Sequence, residues 1–129
     1  MAAPGRVGCH SRMFTDHVFA LVDKRDAEGF AALFAPYGRF VFGNADPIVG
    51  PAAVAAAVGA FFAGLDGLRH EIRNRWETGA DTVAEVVVEY DRRDGSSVRV
   101  PAVTIFTREA DGLIADYRIY VDLAPLFAP

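Results

Sequence analysis

At 129 residues this chain has room for one domain and one substantial core, not two. A net charge of −4 with scattered Lys and Arg excludes the basic footprint of a nucleic-acid binder, and no stretch reaches the roughly 18 continuous apolar residues of a membrane span. The apolar share is 52%, with ten Phe, four Tyr and one Trp, a surplus that points to a lined cavity or a subunit contact beside the core. Cys9 stands alone and can form no internal disulfide. With no apolar secretory stretch in the opening residues, a cytoplasmic location is expected.

Met1 to Ser11, built of Gly, Pro, Ala and Arg among others, reads as a flexible lead-in to a single domain over 12–129. From Met13 to Val22 the apolar residues Phe14, Val18, Leu21 and Val22 recur at helical spacing, with Ser11 or Thr15 able to cap the start. Asp26 can cap a second helix carrying Phe30, Leu33 and Phe34 on one face, stopped by Pro36 and Gly38. Arg39 to Phe42 is a short strand. Pro51 suits the first position of a third helix, which the Ala, Val and Phe run continues to Phe62 and Gly64 ends. Beyond Leu68 the chain reads as strands: Arg69 to Glu77, Thr82 to Asp91, Ser97 to Thr107 and Leu113 to Val121. The turn pairs Gly79-Ala80, Asp94-Gly95 and Asp111-Gly112 divide them. Three helices followed by a meander of long strands predict an α+β fold with the helices on one sheet face.

Turn length sets register, and register decides which side chains share a face. As a two-residue loop, Asp94-Gly95 opposes Glu89 to Val100, Val87 to Ala102, Glu85 to Thr104 and Val83 to Phe106. Gly79-Ala80, read the same way, opposes His70 to Glu89, Ile72 to Val87, Asn74 to Glu85 and Trp76 to Val83. The pocket face then holds all of these residues. The opposite face holds Arg73, Arg75, Ala84, Val86, Val88, Tyr90, Arg99, Val103 and Ile105. A one-residue slip in either turn exchanges the two sets on a strand. Three helices cover only one face, so Val86, Val88, Val103 and Ile105 are expected at a homodimer contact.

Glu85 is the leading candidate for chemistry. Desolvated mid-strand between Asn74 and Thr104, it would be a general base or acid near neutrality; the plainer alternative is a structural hydrogen-bond cluster. His70 and Glu89 form the next pair, as a proton carrier and its partner or as an exposed rim contact. On the last strand Tyr117, Ile119 and Val121 point to the pocket, Tyr117 as hydrogen-bond donor or as packing. Asn74, Trp76, Phe42, Glu89, Val100, Ala102, Thr104 and Ile119 are the expected ligand contacts. His70, Glu85 and Glu89 have no metal-ligand spacing, and no Gly-rich phosphate loop, Ser-His-Asp set or Cys pair occurs, so neither metal nor cofactor is expected.

The segment order and the closing strand Gly112 to Asp122, followed by Leu-Ala-Pro-Leu-Phe, resemble the SnoaL-like, nuclear transport factor 2-like superfamily over about Arg12 to Phe127. The resemblance implies a cone with an internal pocket on its concave side and a dimer contact on the convex side. It also implies a small hydrophobic ligand, with ketosteroid isomerases, limonene epoxide hydrolases and polyketide cyclases among the members. Phe42, Val18 and Thr104 stand where ketosteroid isomerases carry their base and donors. Ile119, beside Arg118, stands at the last-strand Asp of the epoxide hydrolases. The resulting expectation is a cofactor-free isomerase or cyclase working by proton transfer, or else a non-catalytic ligand-binding or accessory dimerisation domain.

Overall fold

Helix α1 (Pro4–Asp23) buries Thr15, Val18 and Phe19 on one stripe. It starts at Pro4, ahead of the expected Met13. The computed structural model describes residues 4–129, with side chains from residue 12 onward, so residues 1–3 of the expected lead-in lie outside it. Helix α2 (Ala27–Ala31) is capped by Asp26, whose Oδ1 accepts from the Gly29 amide at 2.9 Å. It is shorter than its apolar spacing predicts. Phe34 instead opens strand β1 (Phe34–Phe42), which begins well before the expected Arg39. Gly38 explains the irregular start of that strand, because a Cβ there would meet the Ile114 carbonyl oxygen at 2.5 Å. Strand β2 (Ile48–Val49) was not legible in the sequence. Helix α3 (Pro51–Ala63) runs as expected, with Pro51 in its first turn and Val54, Val58 and Phe62 buried.

Four long strands follow: β3 (Leu65–Thr78), β4 (Asp81–Arg92), β5 (Ser97–Arg108) and β6 (Ile114–Val121). The short helix α4 (Ala124–Phe127) closes the chain. The sheet order is β2-β1-β6-β5-β4-β3, with β1 parallel to β6 and every other pair antiparallel. Helices α1, α2 and α3 cover one face of this mixed sheet, the α+β arrangement expected.

The register departs from expectation at two places. Gly79-Ala80 does form a two-residue loop, opposing Thr78 to Asp81, Trp76 to Val83 and Asn74 to Glu85. A bulge between Ile72 and Asn74 then shifts the pairing, so His70 faces Val88 and Ile72 faces Val86. At the second turn the Gly95 amide bonds the Arg92 carbonyl at 3.1 Å and the Arg92 amide bonds Ser96 at 2.8 Å. Gly95 sits at φ +89°, in a three-residue loop rather than the expected two. Strand β4 is therefore slipped by one: Val88 faces Val100, Val86 faces Ala102 and Ala84 faces Thr104. Ala84, Val86, Val88 and Tyr90, expected outside, are buried in the core. Arg75, also expected outside, reaches α1, bonding Asp16 Oδ1 at 2.8 Å and the Arg12 carbonyl at 3.3 Å.

Candidate functional site

Between the helices and the inner sheet face lies a cavity of about 220 Å3. Phe30 of α2, Phe61 and Phe62 of α3, and Phe40 and Phe42 of β1 supply aromatic walls. Val86 and Val88 line the opposite side. Rings meet edge to face: Phe42 on Phe61 at 5.0 Å, Phe30 on Tyr117 at 5.2 Å, Phe61 on Tyr90 at 5.8 Å. Among the described residues no Lys or Arg lines it.

Four polar side chains break this apolar lining: His70, Tyr90, Thr104 and Tyr117. His70 Nδ1 lies 2.6 Å from Asp23 Oδ1, and Asp23 Oδ2 also accepts from the His70 backbone amide at 3.2 Å. A carboxylate at that nitrogen makes Nδ1 the donor and leaves Nε2 for a ligand. The imidazole, 11% exposed, packs against the Phe19 ring at 4.8 Å between centroids. Sequence reasoning missed Asp23. The signal was present: it falls four residues after the buried Phe19 on the same stripe, and it is acidic at a helix C-terminus, where the dipole favours cations.

Tyr117 is 2% exposed and its hydroxyl contacts Thr104. Burial pushes its phenol well above the ordinary tyrosine range; the Thr104 contact opposes that shift and the charge of Asp23 adds to it. Burial pushes Tyr90 up to about 12. Both phenols therefore stay protonated in the folded protein above pH 10, where an unfolded tyrosine releases its proton. Stability is therefore unaffected by these groups below about pH 10 and falls as pH rises from there through the folded value, because the folded state holds on to protons that the unfolded chain releases. The Tyr90 share of that loss is about 3 kcal/mol, the cost of ionising a buried phenol. Urea midpoints between pH 8 and about pH 12 are expected to fall less steeply for Tyr90→Phe than for wild type.

Of the residues expected at the site, His70, Tyr117, Phe42, Ala102, Thr104 and Ile119 line the cavity. Val100 is buried beside Val88 but is not part of the lining. The other four lie elsewhere. Glu85 is exposed on the outer face, where the Asn74 amide donates to its Oε1 at 2.7 Å. Glu89 pairs with Arg69 at 2.6 Å instead of His70. Trp76 is 54% exposed on the same outer side. The one-residue slip of β4 and the β3 bulge account for all four displacements. Among the described residues no cluster of three or more His, Cys, Asp or Glu side chains is arranged to hold a metal ion.

A family model described as a SnoaL-like domain matches residues 15–117. Comparison with curated proteins finds no match. Among solved structures, an NTF2-like protein of unknown function from Burkholderia pseudomallei K96243 aligns with a TM-score of 0.79 at 17% identity. The alignment covers 89% of this chain and 92% of that one. A hypothetical protein with a ketosteroid isomerase-like fold from Catenulispora acidiphila, in complex with trimethylamine, aligns at 0.75 and 17% identity over 82% of each chain. SalBIII, an epoxide hydrolase/cyclase-like enzyme with a role in pyran ring formation in the polyether salinomycin, aligns at 0.75 and 16% identity over 87% of this chain and 90% of its own. At these identities the likeness is one of fold.

Proposed function

This chain belongs to the SnoaL-like domain family, and on that premise we propose that it binds a small hydrophobic molecule in the cavity and acts on it by proton transfer, as a cofactor-free isomerase or cyclase. The observation that carries this reading is the Asp23–His70 pair at 2.6 Å in an otherwise apolar wall. His70 Nε2 is the acid–base group, and Asp23, bonded to Nδ1, fixes the tautomer and orients the ring. The hydroxyl of Tyr117, with Thr104, stands on the same wall to support charge on a substrate oxygen. Glu85, on the outer face, has no part in it. The similarity in fold to an epoxide hydrolase/cyclase-like enzyme agrees with such chemistry.

A non-catalytic binding or accessory domain is the second reading. What favours it is that Asp23 holds both the ring and the backbone of His70, a tie between α1 and β3 that serves the fold alone. Tetralone, a bicyclic ketone with exchangeable hydrogens beside its carbonyl, separates the two. Deuterium uptake at that carbon in D2O, followed by NMR, should be accelerated by wild type and not by His70→Gln. No acceleration by wild type would favour the binder.

The same proposal includes a homodimer through the outer sheet face and residence in the cytoplasm. Val103 and Ile105 lie on that face with Val83, between the exposed Trp76 and Tyr120, an apolar block that the helices do not cover. Val103→Asp is expected to convert a dimer to monomer in sedimentation velocity, since a charge there is desolvated without a partner. A wild-type monomer would remove the idea. Among the described residues no helix is long and apolar enough to cross a membrane, and the lone Cys9 suits a reducing compartment.

A further inference from the structure

The cavity's polar side chains are not equivalent. His70 is held by Asp23, and Tyr117 and Thr104 contact one another. Tyr90 is different: it is 3% exposed, lines the cavity, and its hydroxyl has no hydrogen-bond partner among the described residues. Its ring is fixed by the edge-to-face contact with Phe61 at 5.8 Å. The hydroxyl is nevertheless not among the fully enclosed polar atoms without a hydrogen bond in the described residues. It therefore keeps a little accessible surface. A buried phenol with an unused O–H is costly unless something completes it.

We propose that Tyr90 anchors the ligand, and that the ligand is an uncharged, largely apolar molecule bearing a carbonyl-type oxygen that accepts a hydrogen bond from the Tyr90 hydroxyl. The lining supports the absence of charge. An anionic ligand would enter an aromatic enclosure with no Lys or Arg among its described lining residues, where a desolvated charge is strongly disfavoured. Burial keeps the Tyr90 phenol protonated at any ordinary pH, so it remains a donor. The sheet places this donor close to the acid–base group. Tyr90 faces Leu68 while His70 faces Val88, so the two are diagonal neighbours on one sheet face, with backbones roughly 7–8 Å apart. A hydrogen-bonded carbonyl and the carbon beside it can bridge such a span. The inference rests on the cavity being the binding site, as proposed above, but not on proton transfer.

Tetralone and its carbonyl-free counterpart tetralin are suitable probes, titrated calorimetrically into wild type and Tyr90→Phe. The variant keeps the ring and its packing. It is expected to bind tetralone about 2- to 10-fold more weakly and tetralin unchanged. The carbonyl stretch of bound tetralone should sit at lower frequency in wild type and return toward its apolar-solvent value in the variant. Equal affinity of the two proteins for tetralone, equal weakening for both probes, an unshifted carbonyl band, or no binding of either probe to wild type would each overturn the proposal. Failure of the proton-transfer reading looks different: tetralone would bind in a Tyr90-dependent way, yet wild type would not accelerate deuterium uptake.

Discussion

Replacing His70 by Gln is expected to lower the rate of the proton transfer proposed for the cavity by about two to four orders of magnitude, the usual contribution of a positioned acid–base group. Gln has neither a titrating proton nor the ring that packs on Phe19. Asp23→Asn is expected to cost less. The shape survives, but an amide can present its NH2 to Nδ1 and so favour the tautomer with the proton on Nε2, the wrong nitrogen for a base. The double variant should be little slower than His70→Gln alone, because Asp23 acts through the imidazole. Deuterium uptake by tetralone gives the rates, and far-ultraviolet circular dichroism shows that the fold survives. Additive losses in the double variant would mean that Asp23 works independently of His70.

The second large effect concerns the core. Val86 is 1% exposed, opposite Ile72 on β3 and Ala102 on β5, and it lines the cavity. Val86→Asp is expected to destabilise the protein by at least about 4 kcal/mol, or to prevent folding, because the carboxylate is buried without a partner. Its neighbour gives the contrast. Glu85→Gln alters an exposed side chain that bonds Asn74, so it should change stability by less than about 0.5 kcal/mol and leave proton exchange intact. Urea denaturation of the two variants reads the register directly, since a β4 shifted by one residue would reverse their order.

The elements were legible because their punctuation is chemical: Asp26 at a helix start, Pro51 in the first turn of α3, Gly at each hairpin. On β5 and β6 the assignment of faces held, with Ala102, Thr104, Phe106, Tyr117 and Ile119 all inward. What failed was β4, through one assumed loop length. Asp-Gly suits a two-residue turn, but Gly95 in the left-handed region also closes a three-residue one. The strand itself carried the correction. Thr82, Ala84, Val86, Val88 and Tyr90 form an uncharged set, while Glu85 and Glu89 share the other face. Burying two carboxylates is far less favourable than adding one residue to an exposed loop. The bulge on β3 had no comparable signal: Arg73 reads like any exposed strand residue. Asp23 and Tyr90 were missed for these reasons, one hidden at a helix end and the other carried to the wrong face with its strand.

Strand β6 lies between β1 and β5, although it is synthesised last of the six. Until it emerges, β1 can pair only with the two residues of β2, and Phe34, Phe40 and Phe42 have no Tyr117 or Ile119 to pack against. The meander β3–β4–β5 can zip early through local hairpins. Joining it to β1 requires closing the chain from Phe34 to Ile119, a contact of long sequence separation with a correspondingly slow search. The nascent chain therefore holds an aromatic strand with an open edge from the emergence of β1 until that of β6, the kind of surface that chaperones bind and that aggregates when they are scarce.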